Sequence, residues 1–212
     1  MSTKAIISDF GGVLTTPLIQ SFVAFQDQTG PPMETLGSAM QRIAERDGSH
    51  PLFELEKGEL TEASFLERIA EELEPELGHR PEMHRFSEIY FDALEPNQPM
   101  IELMRELKQQ GLRMALLTNN VREWEPLWRS MVPIDELFEL VVDSAFVSCR
   151  KPEPRIYEIV LERLAVPADE CLFVDDVEVN CEAARDLGMT AVHFRDNEQA
   201  IGEIRTALRA SA

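Results

Sequence analysis

An apolar run that ends on a carboxylate and is followed at once by two glycines constrains this chain most: Lys4-Ala5-Ile6-Ile7-Ser8-Asp9-Phe10-Gly11-Gly12. A short, unbroken apolar run suits a strand buried on both faces, and Gly-Gly suits a sharp exit from it. In open α/β sheets, ligands sit at the carboxyl ends of the strands. Residues 4–9 are therefore read as the first strand, with Asp9 at a ligand-binding edge. Taken alone, the stretch fits equally well a strand and turn with Asp9 as a cap.

The next clear buried strand, Leu112-Arg113-Met114-Ala115-Leu116-Leu117, comes about a hundred residues later, far beyond an ordinary crossover. An inserted subdomain is implied over residues 16–95. It reads as helical, because Phe65, Ile69 and Leu73 recur four apart after Thr61, an N-cap candidate. Breakers at Gly30-Pro31-Pro32, Gly48 with Pro51, Gly58, Pro75, Gly78 and Pro81 divide it into four modest helices. Residues 16–98 hold 6 Lys/Arg against 17 Asp/Glu, so −11 of the total net charge of −19 lies here, read as a solvated outer face.

That acidity bears on partners. A net charge of −19 repels nucleic acid and anionic membranes, so both are set aside. It also repels an anionic substrate unless a cation reverses the field in one cleft, so a phosphate-handling protein of this charge needs a metal. No apolar run is long enough to span a bilayer, and no basic stretch with an apolar h-region opens the chain. Cys149, Cys171 and Cys181 form no close pair and read as free thiols in a reducing compartment, hence a cytoplasmic expectation.

After residue 98 a helix carries Ile101, Met104 and Leu107 inward and ends near Gly111. An alternation follows. Strand 112–117 leads through Thr118-Asn119-Asn120 into a helix reaching Trp128. Strand 139–142 leads through Ser144 to Lys151 and a helix after Pro154 with Ile156, Val160 and Leu164 on one face. Strand 171–174 ends in Asp175-Asp176. The next helix, with Val179, Ala183 and Leu187 inward, stops at Gly188. Strand 190–194 leads into a last amphipathic helix. Alternating β and α with short links predicts a parallel sheet covered on both faces.

Asp9, Thr118-Asn119, Lys151 and Asp175-Asp176 thus lie at the carboxyl ends of predicted strands or just after them. Each alone suits a helix cap or a solvated loop. Together, in this order, they describe a site. The set resembles the four motifs of the haloacid dehalogenase-like hydrolase superfamily: Asp9-Phe10-Gly11-Gly12-Val13, Thr118-Asn119-Asn120, Lys151-Pro152, and Asp175-Asp176-Val177-Glu178-Val179-Asn180. The helical insert resembles the cap of subfamily I. The opening, with Glu54, Gly58 and Phe65, looks most like the phosphatase-like amino-terminal branch of soluble epoxide hydrolases.

The resemblance implies a Rossmann-like core over 1–15 and 96–212 with a helical cap over 16–95. It implies a Mg²⁺-dependent phosphatase for a small phosphorylated metabolite, acting as a monomer or homodimer. Asp9 would attack phosphorus and form an aspartyl-phosphate. Asp9, the Gly11 carbonyl and Asp176 would bind the metal through oxygen. Asp175 would orient Lys151, and Asn180 would support the metal site through a bound water. Thr118 and the Asn119 backbone N–H would hold phosphoryl oxygens, and Lys151 would offset negative charge.

One position departs from the pattern. The family's phosphatases usually carry a general acid two residues after the nucleophile; here that residue is Gly11. General acid–base catalysis is worth roughly 10²–10⁴-fold. Three readings stay open: a phosphatase that is weak, or takes its acid from water or from His50, His79, His84 or Glu56 of the cap; a metal-free 2-haloacid dehalogenase, disfavoured by Asp175-Asp176; and an impaired protein that keeps a phosphate or metal site. Arg122, Arg150 and Arg155 are candidates for making the local field positive.

Overall fold

A computed structural model describes residues 2–28 and 31–210. Five parallel strands form one sheet: β1 (Ala5–Ser8), β2 (Arg113–Thr118), β3 (Leu140–Asp143), β4 (Cys171–Asp175) and β5 (Thr190–His193). Their spatial order is β3-β2-β1-β4-β5. In register, Ile7 lies opposite Ala115 on one side and Phe173 on the other. Side chains alternate across the sheet. Ile6, Leu116, Leu172 and Val174 enter one apolar cluster, and Ala5, Ile7, Leu117 and Phe173 the other. A strand with both faces covered has no polar side, which is why β1 and β4 read as unbroken apolar runs.

The faces are covered by the helices that the alternation predicts. Helix α6 (Gln98–Gln109) buries Ile101, Met104 and Leu107 on the first face. Helix α10 (Pro154–Leu164) buries Ile156, Val160 and Leu164 on the second. The remaining core helices are α7 (Glu125–Met131), α8 (Ile134–Leu137), α9 (Ser144–Val147), α11 (Glu178–Asp186) and α12 (Asn197–Ala210). No helix is long and apolar enough to cross a membrane among the described residues.

Two expectations about these helices need correction. Helix α11 does not turn Val179 inward: Val179 is 52% exposed, and Asn180, Cys181 and Ala184 are the buried residues. The buried face is fixed by a polar contact, the Asn180 amide donating to Asp175 Oδ1 at 2.9 Å. The segment after Asn120 is not one helix to Trp128 either. A 3₁₀ turn, Arg122–Trp124, precedes α7, and Pro126 sits in the first turn of α7, where its missing N–H costs no helical bond.

Between β1 and α6 lie α1 (Ile19–Gln28), α2 (Met33–Asp47), α3 (Pro51–Glu56), α4 (Glu62–Leu77) and α5 (Phe86–Asp92). Among the described residues five helices stand where four were expected, the additional one being the short α3. The Gly30 breaker lies outside the described residues. Thr61 caps α4 by accepting from the Ser64 N–H, and Phe65, Ile69 and Leu73 are buried, as their spacing predicts. Pro75 does not break α4. It sits in the last turn, where only one backbone bond is at stake, and the helix ends at Gly78 in the left-handed region.

The chain leaves and re-enters the sheet layer at adjacent points. Thr15 bridges Pro96, the Thr16 N–H donates to the Glu95 carbonyl at 2.8 Å, and the Asn97 amide donates to the Val13 carbonyl at 2.8 Å. Aromatic rings close the other side. Trp124 lies 5.1 Å from Tyr90 and 5.4 Å from Phe91, centroid to centroid. The helices over β1–α6 and one sheet face therefore share a single apolar cluster.

Candidate active site

The strand order reverses at β1: the chain moves outward through β2 and β3, then returns to place β4 on β1's other side. Such a reversal leaves a crevice at the carboxyl ends. Asp9 follows β1 and Asp175-Asp176 close β4, so both carboxylate groups border it. The loop before α10 delivers Lys151 to the same place. Its ammonium lies 2.7 Å from Asp9 Oδ1 and 2.6 Å from Asp175 Oδ2, and its side chain is 1% exposed.

Each partner is held from behind. The Asn119 side chain accepts from the Lys151 N–H at 2.8 Å and donates to the Lys151 carbonyl at 3.0 Å, fixing the lysine's backbone. Asp175 Oδ1 accepts from the Val177 N–H and the Asn180 amide, both at 2.9 Å. Tyr157 donates to the Asn180 carbonyl at 3.0 Å. Asp9 Oδ1 also accepts from the Phe10 N–H at 2.7 Å. Asp175 thus has both oxygens engaged within the protein.

Three carboxylates, Asp9, Asp175 and Asp176, gather oxygen atoms within 4.8 Å of one another. One ammonium faces them, which leaves two negative charges unmatched. The imbalance shows in their acidity. Burial raises Asp9 well above the usual carboxylate range; Lys151 opposes the rise, and Asp175 and Asp176 add to it. Asp176 is raised to about 6 by burial and then by Asp175. Burial works to discharge Lys151, but Asp175 and Asp9 overcome it and hold the ammonium charged.

The glycines have specific work here. Gly12 has φ +75°, and a Cβ on it would fall 2.2 Å from Asp176 Oδ2. A glycine at 12 therefore leaves the Asp176 carboxylate its room beside Asp9. Hard oxygen donors around an unmatched negative charge suit a divalent cation such as Mg²⁺. Gly11 tells a different story. A Cβ there would meet Leu18 Cδ1 at 3.0 Å and Cδ2 at 3.1 Å. Hydrocarbon thus stands where a side chain at position 11 would project.

Thr118 is buried at the end of β2, and Thr118 and Asn119 open onto a cavity of about 230 Å³ that Gly11 also lines. Of the four acid candidates from the helical segment, Glu56 lines this cavity. Burial raises its carboxyl, opposed by Arg150, whose Nε lies 2.5 Å away. His79 and His84 are exposed. His50 stacks on Phe53 with its ring centroid 4.4 Å away, and burial lowers its pKa.

Carboxylates match the charge of Arg150 and Arg155, while Arg122 is held by a neutral carbonyl and keeps its charge. Arg150 is paired with Glu56, Arg122 donates to the Ala145 carbonyl, and the exposed Arg155 pairs with Glu158 and Glu162. Sequence reasoning missed Ser144. Its hydroxyl donates to the Glu56 carbonyl at 2.5 Å and accepts from the Asn120 N–H at 3.0 Å, tying α3 to the β2 loop. It missed Leu18 and Tyr90 as well. Tyr90 lines the cavity, and burial and then Glu56, Asp9 and Asp176 raise its phenol. Only three-dimensional proximity assigns these residues; no local spacing marks them.

The chain is similar to known proteins. A family model described as haloacid dehalogenase-like hydrolase matches residues 3–188. A phosphatase of Mycobacterium tuberculosis is 30% identical over 203 residues, covering 90% of this chain and 87% of that protein. Bifunctional epoxide hydrolase 2 of Rattus norvegicus is 28% identical over 219 aligned residues, covering 96% of this chain. The chain spans 38% of that relative's length. A HAD family enzyme from Bacteroides thetaiotaomicron, solved as a magnesium complex, has a TM-score of 0.72 at 24% identity, covering 97% of this chain and all of the other, and shares its fold.

Proposed function

The chain belongs to the haloacid dehalogenase-like hydrolases, and we propose that it is a Mg²⁺-dependent phosphatase of small phosphorylated substrates, working through an aspartyl-phosphate at Asp9. The observation that carries the proposal is the lock of Lys151 between Asp9 and Asp175, with the Asp176 carboxylate alongside. Asp9, the Gly11 carbonyl and Asp176 would hold the cation. When bound, Mg²⁺ supplies positive charge between the Asp9 carboxylate and an anionic phosphoryl group.

An Asp9 oxygen attacks phosphorus in line, and the bond from phosphorus to the leaving alcohol oxygen breaks. Thr118 and the Asn119 N–H donate to phosphoryl oxygens, and Lys151 opposes the charge that gathers around Asp9. Water then attacks phosphorus, releasing phosphate and restoring Asp9. Asn180 acts by holding Asp175, which keeps Lys151 aimed at Asp9. With Gly11 in the acid's place and Glu56 ion-paired to Arg150, the leaving oxygen takes its proton from water, and turnover favours good leaving groups.

Residues 16–95 serve as a cap over this edge, moving about the paired segments at Thr15-Thr16 and Glu95-Pro96. The three free thiols suit a reducing compartment such as the cytoplasm.

Hydrolysis of an activated aryl phosphate tests the proposal. It should require Mg²⁺, stop on adding EDTA and vanish in Asp9→Asn. Turnover that persists in EDTA or in that variant refutes the mechanism. Halide release from a 2-haloacid without metal would reassign the protein to carbon-centred hydrolysis.

A further inference from the structure

We propose that the cavity beside Gly11, Thr118 and Asn119 seats the alcohol part of the substrate, and that this alcohol is apolar: an alkyl, aryl or prenyl group of roughly nine carbons. The proposal rests on the phosphatase reading for the phosphoryl end alone.

The cavity lining is of two kinds. The strand-edge loops contribute Gly11, Thr118, Asn119 and Asn120. Leu18, Met40, Phe65, Phe86, Tyr90 and Trp124 contribute hydrocarbon and aromatic surface. Glu56 is the charged residue in this wall, and Arg150 already neutralises it. No lysine or arginine lines the cavity among the described residues, so a second phosphate or a carboxylate on the substrate would find no cation. The indole N–H of Trp124, buried with no partner, leaves one donor in this wall. The aliphatic and aromatic side chains around it offer nothing to the several hydroxyls of a polyol, and each sugar hydroxyl buried unpaired would weaken binding by about tenfold.

Size sets the upper limit. An apolar cavity of about 150 Å³ stays dry and takes a benzene ring. By proportion, 230 Å³ takes roughly nine carbons. Leu18 links the two features. It lines the cavity and also fills the direction in which a general acid at position 11 would point. The same side chain that crowds position 11 completes an apolar seat for the leaving group.

Primary n-alkyl phosphonates from ethyl to decyl, titrated calorimetrically into the Mg²⁺-supplemented protein, test this independently of turnover. Affinity should rise about threefold to fourfold per methylene, level off near eight or nine carbons, and exceed that of inorganic phosphate throughout. In Met40→Trp, which fills the cavity, the octyl-to-ethyl affinity ratio should fall at least tenfold. Affinity that does not change with chain length overturns the proposal, as does tighter binding of a sugar phosphonate than of hexylphosphonate. A matching series of alkyl phosphates separates the two claims. Hydrolysis with no dependence on length sinks the apolar seat and leaves the phosphatase reading standing. Length-dependent phosphonate binding with no hydrolysis of any ester sinks the phosphatase reading and leaves the seat standing.

Discussion

The carboxylate floor of the cleft and the apolar wall above it meet at Gly11, yet they are built on opposite principles. On the floor, Lys151, Asp175, Asn180 and Asn119 satisfy one another through bonds of 2.6–3.0 Å, and little can change without leaving a buried charge alone. In the wall, hydrocarbon surrounds free space, and shape alone constrains the side chains. A buried ion network tolerates few alternatives, because a lost partner leaves its counterpart desolvated and unpaired. An apolar wall tolerates many volume-conserving ones. Reaction type is therefore written in the floor and substrate choice in the wall.

Lys151→Met should strike the floor hardest. It leaves Asp9 and Asp175 buried without their cation, and loss of one partner of a buried pair costs about 3–5 kcal/mol. Urea unfolding measures this, and a change below about 1 kcal/mol would show that the network is not held as its burial implies.

The meeting point of the two regions gives the next effect. Gly11→Asp alone should restore less acid catalysis than it does with Leu18 cut back, because Leu18 must shift by a few tenths of an ångström to admit even the new Cβ. Combined with Leu18→Ala, it should raise hydrolysis of poor leaving groups by up to about 10²-fold. An equal gain in the single variant would show that Leu18 is no obstacle, and no gain in the folded double variant would show that the missing acid does not limit the rate.

These residues also show where the sequence is legible. Ile6-Ile7 and Leu172-Phe173 announce buried strands because a two-faced strand admits no polar position. Ile156, Val160 and Leu164 announce a helix face because packing alone decides it. Asp9, Thr118-Asn119, Lys151 and Asp175-Asp176 stand in the expected chain order because each motif sits at a strand end that the topology brings to one edge. The inward face of α11 is misread because Asn180, a polar residue, anchors it to Asp175. Helix α3, six residues long, is too short to show a period, and the filling role of Leu18 leaves none because a contact between separate segments creates it.

Gly12→Ala tests the floor more gently. A residue with a side chain at φ +75° costs about 1–2 kcal/mol. Its Cβ would also push against Asp176 Oδ2, so Mg²⁺ affinity should drop at least about tenfold by calorimetry. Unchanged affinity would detach Asp176 from the metal.

The smallest effect lies at β3, outside both regions. Burial raises Asp143 to about 7, and its Oδ2 has no partner. The folded form therefore binds this proton more tightly than the unfolded chain does. Stability from Asp143 is present below pH 4, falls as pH rises toward about 7, and is flat above. Asp143→Asn should remove at least about 1 kcal/mol of that decline, seen as a smaller Tm loss between pH 5 and 8 than in the wild type. An identical pH profile in the two proteins would show that Asp143 titrates normally.

Trapping the phosphoryl group on the chain tests the central claim most directly. Acid quench during turnover of an aryl phosphate, followed by borohydride reduction, converts an aspartyl-phosphate to homoserine, which peptide mass spectrometry locates. Homoserine at position 9, absent without Mg²⁺, is the expected result. Sustained turnover with an unmodified Asp9, or with the reduced residue elsewhere, would contradict the assignment of Asp9 as the nucleophile.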